Sequence, residues 1–319
     1  MRVLVTGANG FVGSHLCEFL QRSGFSVRAM VRTTSNLQWI AGLGLEFAYA
    51  DLSDPPSLWV AVQGCENVFH LGAVVRARDR SEFERVNTAG TKSLVDACAR
   101  AGVRRFLMFS SMAAAGPAPA PDQPSAETQE CNPVSDYGLA KLKAEQAVLE
   151  ASDRLHSVII RFPAIYGPRD RDGLLLWRWA MKGVMPLLGR TFSVIYVADA
   201  VRAAVLAAEK DVKSGSVYHV SDGRCYTWEE LAGIVERLSG RRLTKVRIPG
   251  WLLPLAASCG ELFGSGDSIF NSDKARELMQ PCWACSIDRA RAELGFEPEY
   301  DLAAGLALTF DWYRRTGWL

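Results

Sequence analysis

Arg2-Val3-Leu4-Val5-Thr6-Gly7-Ala8-Asn9-Gly10-Phe11-Val12-Gly13 is the stretch that decides the fold. An apolar strand runs straight into three glycines and then into a helical pattern, Gly10–Ser23, with Phe11, Leu16, Phe19 and Leu20 on its apolar side. Such a junction suits a pyrophosphate. The turn needs unusual backbone angles, the phosphate needs backbone approach without a Cβ, and the helix must pack closely on its strand. The helix start then offers unpaired N–H groups and partial positive charge. The spacing is G-x-x-G-x-x-G rather than G-x-G-x-x-G. A glycine-rich turn that holds no ligand is the alternative, and the strand before it and helix after it weigh against that.

Working outward, apolar strands and amphipathic helices take turns. Strand patterns cover Ser26–Val31, Leu45–Tyr49, Asn67–Leu71, Arg105–Ser110 and Ser157–Arg161; helical patterns cover Glu82–Ala101 and Tyr137–Ala151. This alternation predicts an α/β fold, a Rossmann-like doubly wound parallel sheet covered on both faces. After Pro163 the rhythm breaks. Leu174–Met181 reads as a short helix, Ile195–Glu209 and Ser216–Val220 return to the sheet, and helices dominate from Thr227. The expected division is therefore a dinucleotide-binding domain of residues 1–162 and 193–222. Residues 163–192 and 223–319 make a smaller, mainly helical substrate-binding cap. Ala113–Pro133, rich in Ala, Pro, Gln and Ser, reads as a surface loop beside the active site. No internal repeat is found.

The chain has 319 residues, enough for one large core or two unequal domains. Its 36 basic and 35 acidic residues leave a net charge of +1, which gives no electrostatic case for nucleic acid. No apolar run reaches the roughly 20 residues that span a bilayer, and no secretion leader precedes the first strand. A cytoplasmic location is expected. The eight cysteines are scattered, several within apolar patterns where a buried thiol is the ordinary reading. Cys282-Trp283-Ala284-Cys285 has zinc-like or redox-like spacing, but no second ligand pair stands near it, so no metal site is expected.

The end of the second strand sets the nicotinamide preference. An NAD site places a carboxylate there for the ribose hydroxyls. Here the run Ala29–Asn36 has none and carries Arg32, whose guanidinium suits a 2′-phosphate. NADP(H) is favoured and NAD(H) stays open, since a solvated arginine at a strand end is the alternative. Asp51-Leu52 suits the adenine side, or Asp51 caps the next helix.

Hydride transfer to a ketone leaves an oxyanion that needs a proton. A tyrosine serves as the reverse base when its pKa falls from about 10 towards neutrality, roughly 4 kcal/mol. Lys141 lies one turn from Tyr137 on the same helix face and favours the phenolate electrostatically. Ser111, at a strand end, can hydrogen-bond the substrate oxygen. Tyr and Lys at this spacing occur often by chance; their order after the glycine turn and the serine strand makes them candidates for catalysis.

With these motifs in place, the chain resembles an extended short-chain dehydrogenase/reductase over nearly its whole length. Thr6–Gly13, Asp51-Leu52, His70-Leu71-Gly72-Ala73, Asn87-x-x-Gly90-Thr91, Ser110-Ser111 and Tyr137-x-x-x-Lys141 match in order. Arg161–Pro168 and Val197-Ala198-Asp199-Ala200 match as well. The resemblance implies a substrate-oxygen pair of Ser111 and Tyr137, with Lys141 as orienter. It implies dinucleotide contacts from Gly7, Asn9, Gly10, Phe11, Val12 and Gly13, and from Leu71, Gly72, Ala73, Asn87, Pro163 and Ile165. His70 is similar in position to a cofactor-flanking residue, or is a buried histidine.

Sugar dehydratases of this family carry Thr-Asp-Glu where this chain has Ser111-Met112-Ala113, so the acid/base pair for water elimination is missing. The cap looks apolar at Leu174–Trp179 and Pro249–Ala257, and the residues 249–263 suit a greasy pocket, peripheral contact with a bilayer, or plain core packing. Val31-Arg32, the small-residue serine loop and this cap are similar to the 3β-hydroxysteroid dehydrogenase and dihydroflavonol reductase branch. The expectation is an NAD(P)-dependent oxidoreductase acting on a steroid-, terpenoid- or flavonoid-like alcohol or ketone. Two alternatives are a nucleotide-sugar 4-epimerase, with Arg169, Arg171, Arg178 and Arg190 gripping a diphosphate, and a non-catalytic dinucleotide sensor. In similar proteins the helices matching Glu82–Ala101 and Tyr137–Ala151 pair across a two-fold axis, which implies a homodimer.

Overall fold

Consecutive apolar residues such as Val3-Leu4-Val5 call for burial on both faces of a sheet, and all three are fully buried. The computed structural model describes residues 1–77, 79–188, 191–250, 252 and 272–319. Its main sheet contains β1 (Arg2–Thr6), β2 (Ser26–Val31), β3 (Glu46–Tyr49), β4 (Asn67–His70), β5 (Arg105–Ser111), β6 (Ser157–Phe162) and a seventh strand, Ser216–His219. The spatial order is Ser216–His219, β6, β5, β4, β1, β2, β3, and every neighbouring pair is parallel. Rossmann-like architecture is therefore the finding.

Side chains alternate between the two faces. Val3, Val5, Phe69, Leu107 and Ile160 enter one core. Leu4, Val68, Phe106, Met108 and Ile159 enter the other. Helix α1 (Phe11–Arg22) covers the first face with Leu16, Cys17 and Leu20 fully buried. Each such leucine contributes about 1.5–3 kcal/mol. Phe19, expected on that stripe, is 37% exposed because the buried positions step 13, 16, 17, 20 and leave it on the flank. A third core gathers Leu174, Trp177, Leu187, Leu231, Leu306 and Phe310 from the later chain.

Strand order reverses direction at β1 and β4, which opens a crevice beyond their carboxyl ends. The glycine turn follows β1 and Leu71–Ala73 follows β4, so both reach that crevice. The helical run expected at Glu82–Ala101 is three joined pieces: Arg80–Phe83, a π-helical stretch Glu84–Ala89 and Gly90–Ala101. π turns are rare and favour functional sites.

Ala113–Pro133 is only partly a surface loop. Met112–Ala115 is helical, and Ala114, Ala115, Ala118 and Ser125 are buried. Their small side chains let the backbone pair: Ala118 N–H donates to Cys282 O and Ser125 N–H to Ala284 O, each at 3.0 Å. Cys282 and Cys285 are buried free thiols in that pairing. Among the described residues no cluster suits a metal, and no helix is long and apolar enough to cross a membrane. Arg190, Cys259 and most of the 249–263 run lie outside the described residues.

Candidate active site

One cleft of about 1910 Å³ runs from the glycine turn past Ser111 and Tyr137 to the later chain. Ligand pockets commonly measure roughly 300–1,000 Å³, so this one has room for a dinucleotide and a second molecule. Every residue expected at the dinucleotide lines it except Asn87 and Lys141.

The glycines answer the fit of an anionic group. Gly7 sits at φ +65°, the left-handed region. A Cβ on Gly13 would lie 2.1 Å from Gly7 O, so only glycine lets α1 seat against the turn. Gly10 caps α1 without a side chain, and no acidic residue stands in the first turn. The leading N–H groups and positive helix end therefore face the cleft unopposed. These residues fit a pyrophosphate.

The floor beside them is held by a chain of hydrogen bonds. Thr6 Oγ1 accepts the N–H groups of Leu71 (3.1 Å) and Gly72 (2.9 Å) and bonds His70 Nδ1 at 2.8 Å. His70 Nε2 bonds Thr91 Oγ1 at 2.9 Å, and Thr91 donates to Asn87 O at 2.6 Å. With Thr91 donating onward, His70 must be the donor at Nε2 and the acceptor at Nδ1, which is the neutral imidazole. Burial, aided by the Lys141 charge, lowers its pKa to about 3. His70 is the buried histidine rather than a group facing the cleft. Asn87 grips the backbone of Val74 from both sides, accepting its N–H and donating to its O at 2.8 Å each. It braces the cleft wall from behind.

At the ribose end, Arg32 lines the cleft. Asp51 accepts from Ser53 N–H (2.8 Å) and Ser53 Oγ (2.6 Å), which with Arg32 and Arg85 hold its carboxyl below the usual range. That is a local turn; the residue at the N-cap of helix Pro55–Val62 is Asp54.

Ser111 ends β5, and its Oγ accepts the Ala113 N–H at 3.1 Å. Tyr137 opens helix Asp136–Leu149, and its phenol lies close enough to Ser111 for the hydroxyl to act on its pKa. The two elements touch backbone to backbone: a Cβ on Gly138 would meet Ala113 O at 2.3 Å. Burial raises the phenol above its ordinary value, Glu277 adds to this, and the Ser111 hydroxyl works against it. Lys141 is buried, with its Nζ donating to Phe109 O at 2.7 Å. Burial brings its pKa down to about 8, against the pull of Glu145. Beside the expected Lys141, the Glu277 carboxylate is a second charged group acting on Tyr137.

Sequence reasoning missed the origin of that carboxylate. Helix Ser272–Leu278 supplies Glu277, whose Oε1 accepts from Ser135 Oγ at 2.8 Å, and Asp273, which accepts backbone N–H groups at the start of the Tyr137 helix. The signal was the Asp-x-x-x-Glu spacing at 273 and 277, one turn apart. Beneath the site, Arg161 and Glu145 form a buried pair, joined by Ser110 on Glu145 and by Cys131 and His219 on Arg161.

The cleft wall beyond Tyr137 is apolar, with Leu175, Leu176, Trp179, Phe192, Trp228 and Trp283 along it. Of the arginines considered for a diphosphate, Arg169 reaches back to α1, donating to Ser14 Oγ (3.2 Å) and Glu18 Oε2 (2.8 Å). Arg171 lies over the Trp318 ring and Arg178 points to solvent outside the cleft.

Residues 3–221 match the model of the NAD dependent epimerase/dehydratase family, and the chain belongs to that family. It is 33% identical to the ceramide reductase of Caulobacter vibrioides (strain NA1000 / CB15N), covering 99% of this chain and 96% of that one. It is 32% identical to sterol demethylase protein B of Methylococcus capsulatus (strain ATCC 33009 / NCIMB 11132 / Bath), covering 99% of each. Among solved structures it superimposes on MoeE5 in complex with UDP-glucuronic acid and NAD, with a TM-score of 0.81 and 27% identity over 99% of this chain and 100% of that one.

Proposed function

We propose that this chain is an NAD(P)-dependent alcohol dehydrogenase/ketone reductase for a hydrophobic substrate of steroid, terpenoid or flavonoid character, favouring NADP(H). The observation that carries the reading is the single cleft that joins the glycine turn, the Ser111–Tyr137 pair and an apolar wall. A ceramide reductase and a sterol-processing protein among its relatives point the same way. When bound, the nicotinamide supplies or accepts the hydride.

The chain's own groups then handle position and proton. Ser111 and Tyr137 hold the substrate oxygen, and Tyr137, kept protonated by burial and Glu277, donates its phenol proton to that oxygen during reduction. Lys141, its Nζ fixed on Phe109 O, is the residue that would orient the ribose side of the cofactor. The apolar wall excludes water and orients the carbon skeleton. Residues 163–192 and 223–319 act as the substrate cap, and the protein works as a homodimer.

The test is Tyr137→Phe. Turnover of hydrophobic ketones with NADPH should fall by about 10²–10⁴-fold, with dinucleotide affinity by fluorescence titration nearly unchanged. Equal loss of both would remove the catalytic assignment. A second reading, nucleotide-sugar 4-epimerase, has the likeness to MoeE5 in its favour. It predicts conversion of UDP-sugars with no net redox change. A non-catalytic sensor would turn over no ketone, and an intact Ser111–Tyr137 pair argues against it.

A further inference from the structure

One exposed edge beside the cleft is rich in cations. Residues 240–248 hold Arg241, Arg242, Lys245 and Arg247 with no carboxylate, in a chain whose total charge is only +1. Strand Thr244–Arg247 is exposed at all four positions and pairs in parallel with Val184–Leu187. Exposed Lys182 stands beside this strand, since the carbonyl of the next residue, Gly183, accepts the Thr244 N–H at 2.8 Å. Arg247 pairs with Glu229. Arg178, Lys182, Arg241, Arg242 and Lys245 have no ion pair among the described residues.

Large apolar side chains stand among these cations. Trp179 is 37% exposed, Val184 39% and Val246 44%. Trp179 and Val246 also line the cleft, together with Pro186 and Ile248. The surface therefore adjoins the apolar compartment at Trp179 and Val246, with the basic strand at one edge of the opening.

We propose that this edge docks the protein on an anionic lipid bilayer, with Arg241, Arg242 and Lys245 on the headgroups and Trp179, Val184 and Val246 in the interface. Charge and chemistry agree with that occupant. Clustered Lys and Arg are drawn to anionic headgroups, and a tryptophan among them sits at the boundary of water and hydrocarbon. Docked this way, the opening faces the bilayer, and an amphiphilic substrate enters the cleft without crossing water. The use of the docked state rests on the reading given under Proposed function; the docking itself does not.

The experiment compares the wild type with the triple variant Arg241→Gln/Arg242→Gln/Lys245→Gln, none of which lines the cleft. Co-sedimentation is measured with vesicles of equal parts phosphatidylcholine and phosphatidylglycerol, and with phosphatidylcholine alone, at low and at physiological salt. The wild type should bind the mixed vesicles, more weakly as salt rises, and bind phosphatidylcholine little. The variant should partition about 100-fold more weakly, some five-fold for each cation removed. Its melting curve and turnover of a short, water-soluble ketone should be unchanged. A wild type that binds neither vesicle, or a variant that binds mixed vesicles as well as the wild type, overturns the proposal. So does wild-type binding of a single-stranded polynucleotide as tight as its binding of vesicles at equal salt, which would mark a general polyanion surface. Vesicle binding without any ketone turnover leaves the docking in place and removes the enzymatic reading.

Discussion

Asp273 caps the helix that carries Tyr137, its Oδ2 accepting the Tyr137 backbone N–H at 3.0 Å while Oδ1 accepts that of Asp136 at 2.7 Å. A carboxylate from a distant segment thus satisfies two of the orphan donors at a helix start. Arg276, three residues on, bridges Asp136 and Asp273. The segment that lines the substrate side of the cleft and the helix that bears the phenol are locked end to end.

Asp273→Asn should keep the fold and cost about 1 kcal/mol, the usual worth of a helix cap. It should reduce kcat more than it reduces dinucleotide affinity, since the displaced group is the phenol. Thermal melts and steady-state kinetics check this; unchanged kcat would show that the cap serves stability alone.

Glu277→Gln removes the carboxylate that acts on Tyr137. The phenol should then lose its proton at lower pH, so the alkaline limb of the reduction profile moves to lower pH and alcohol oxidation gains at a given pH. A pH–rate profile with its limb unmoved would mean that the carboxylate does not reach the reacting proton.

Arg32→Ala should weaken NADP(H) binding by roughly tenfold, the worth of one charge-assisted hydrogen bond. NAD(H) binding should change little. Equal affinity of both cofactors for wild type and variant would make Arg32 a solvated residue.

His70 contributes one part of the pH dependence of stability. Its folded pKa of about 3 lies below its unfolded value near 6.5. The unfolded chain therefore binds a proton that the folded chain refuses. Stability from the neutral ring is full above pH 6.5 and is lost as pH falls towards 3. Between pH 6.5 and 5 the loss is about 2 kcal/mol. Unfolding free energies from urea titrations at the two values should differ less in His70→Asn by roughly that amount.

Much of this was legible in the sequence because it depends on local pattern. Val3-Leu4-Val5 followed by Gly7, Gly10 and Gly13 specifies a buried strand, a left-handed turn and a close helix, and neighbours along the chain determine all three. Tyr137 and Lys141 share a face by helical period alone. What the period could not tell is where a buried side chain finds its partner. Asn87 holds Val74, thirteen residues back, and Lys141 holds Phe109 O, across the helix–strand interface. Asp273 reaches the Tyr137 helix from 136 residues further on. The Ala113–Pro133 reading held only in part for a related reason: alanine and serine suit a loop, and equally suit backbone pairing with Cys282–Ser286.

Arg169 is the one non-glycine residue with a left-handed backbone among those described, at φ 72°. Its guanidinium is fixed on Ser14 and Glu18 of α1 and lies over the Trp39 ring, while His15 Nε2 bonds the neighbouring Pro168 O. For helix Arg171–Met181 to swing away from α1, all of these contacts would have to part together. The phosphate end is therefore the pinned margin of the cleft, as the spine is of a book.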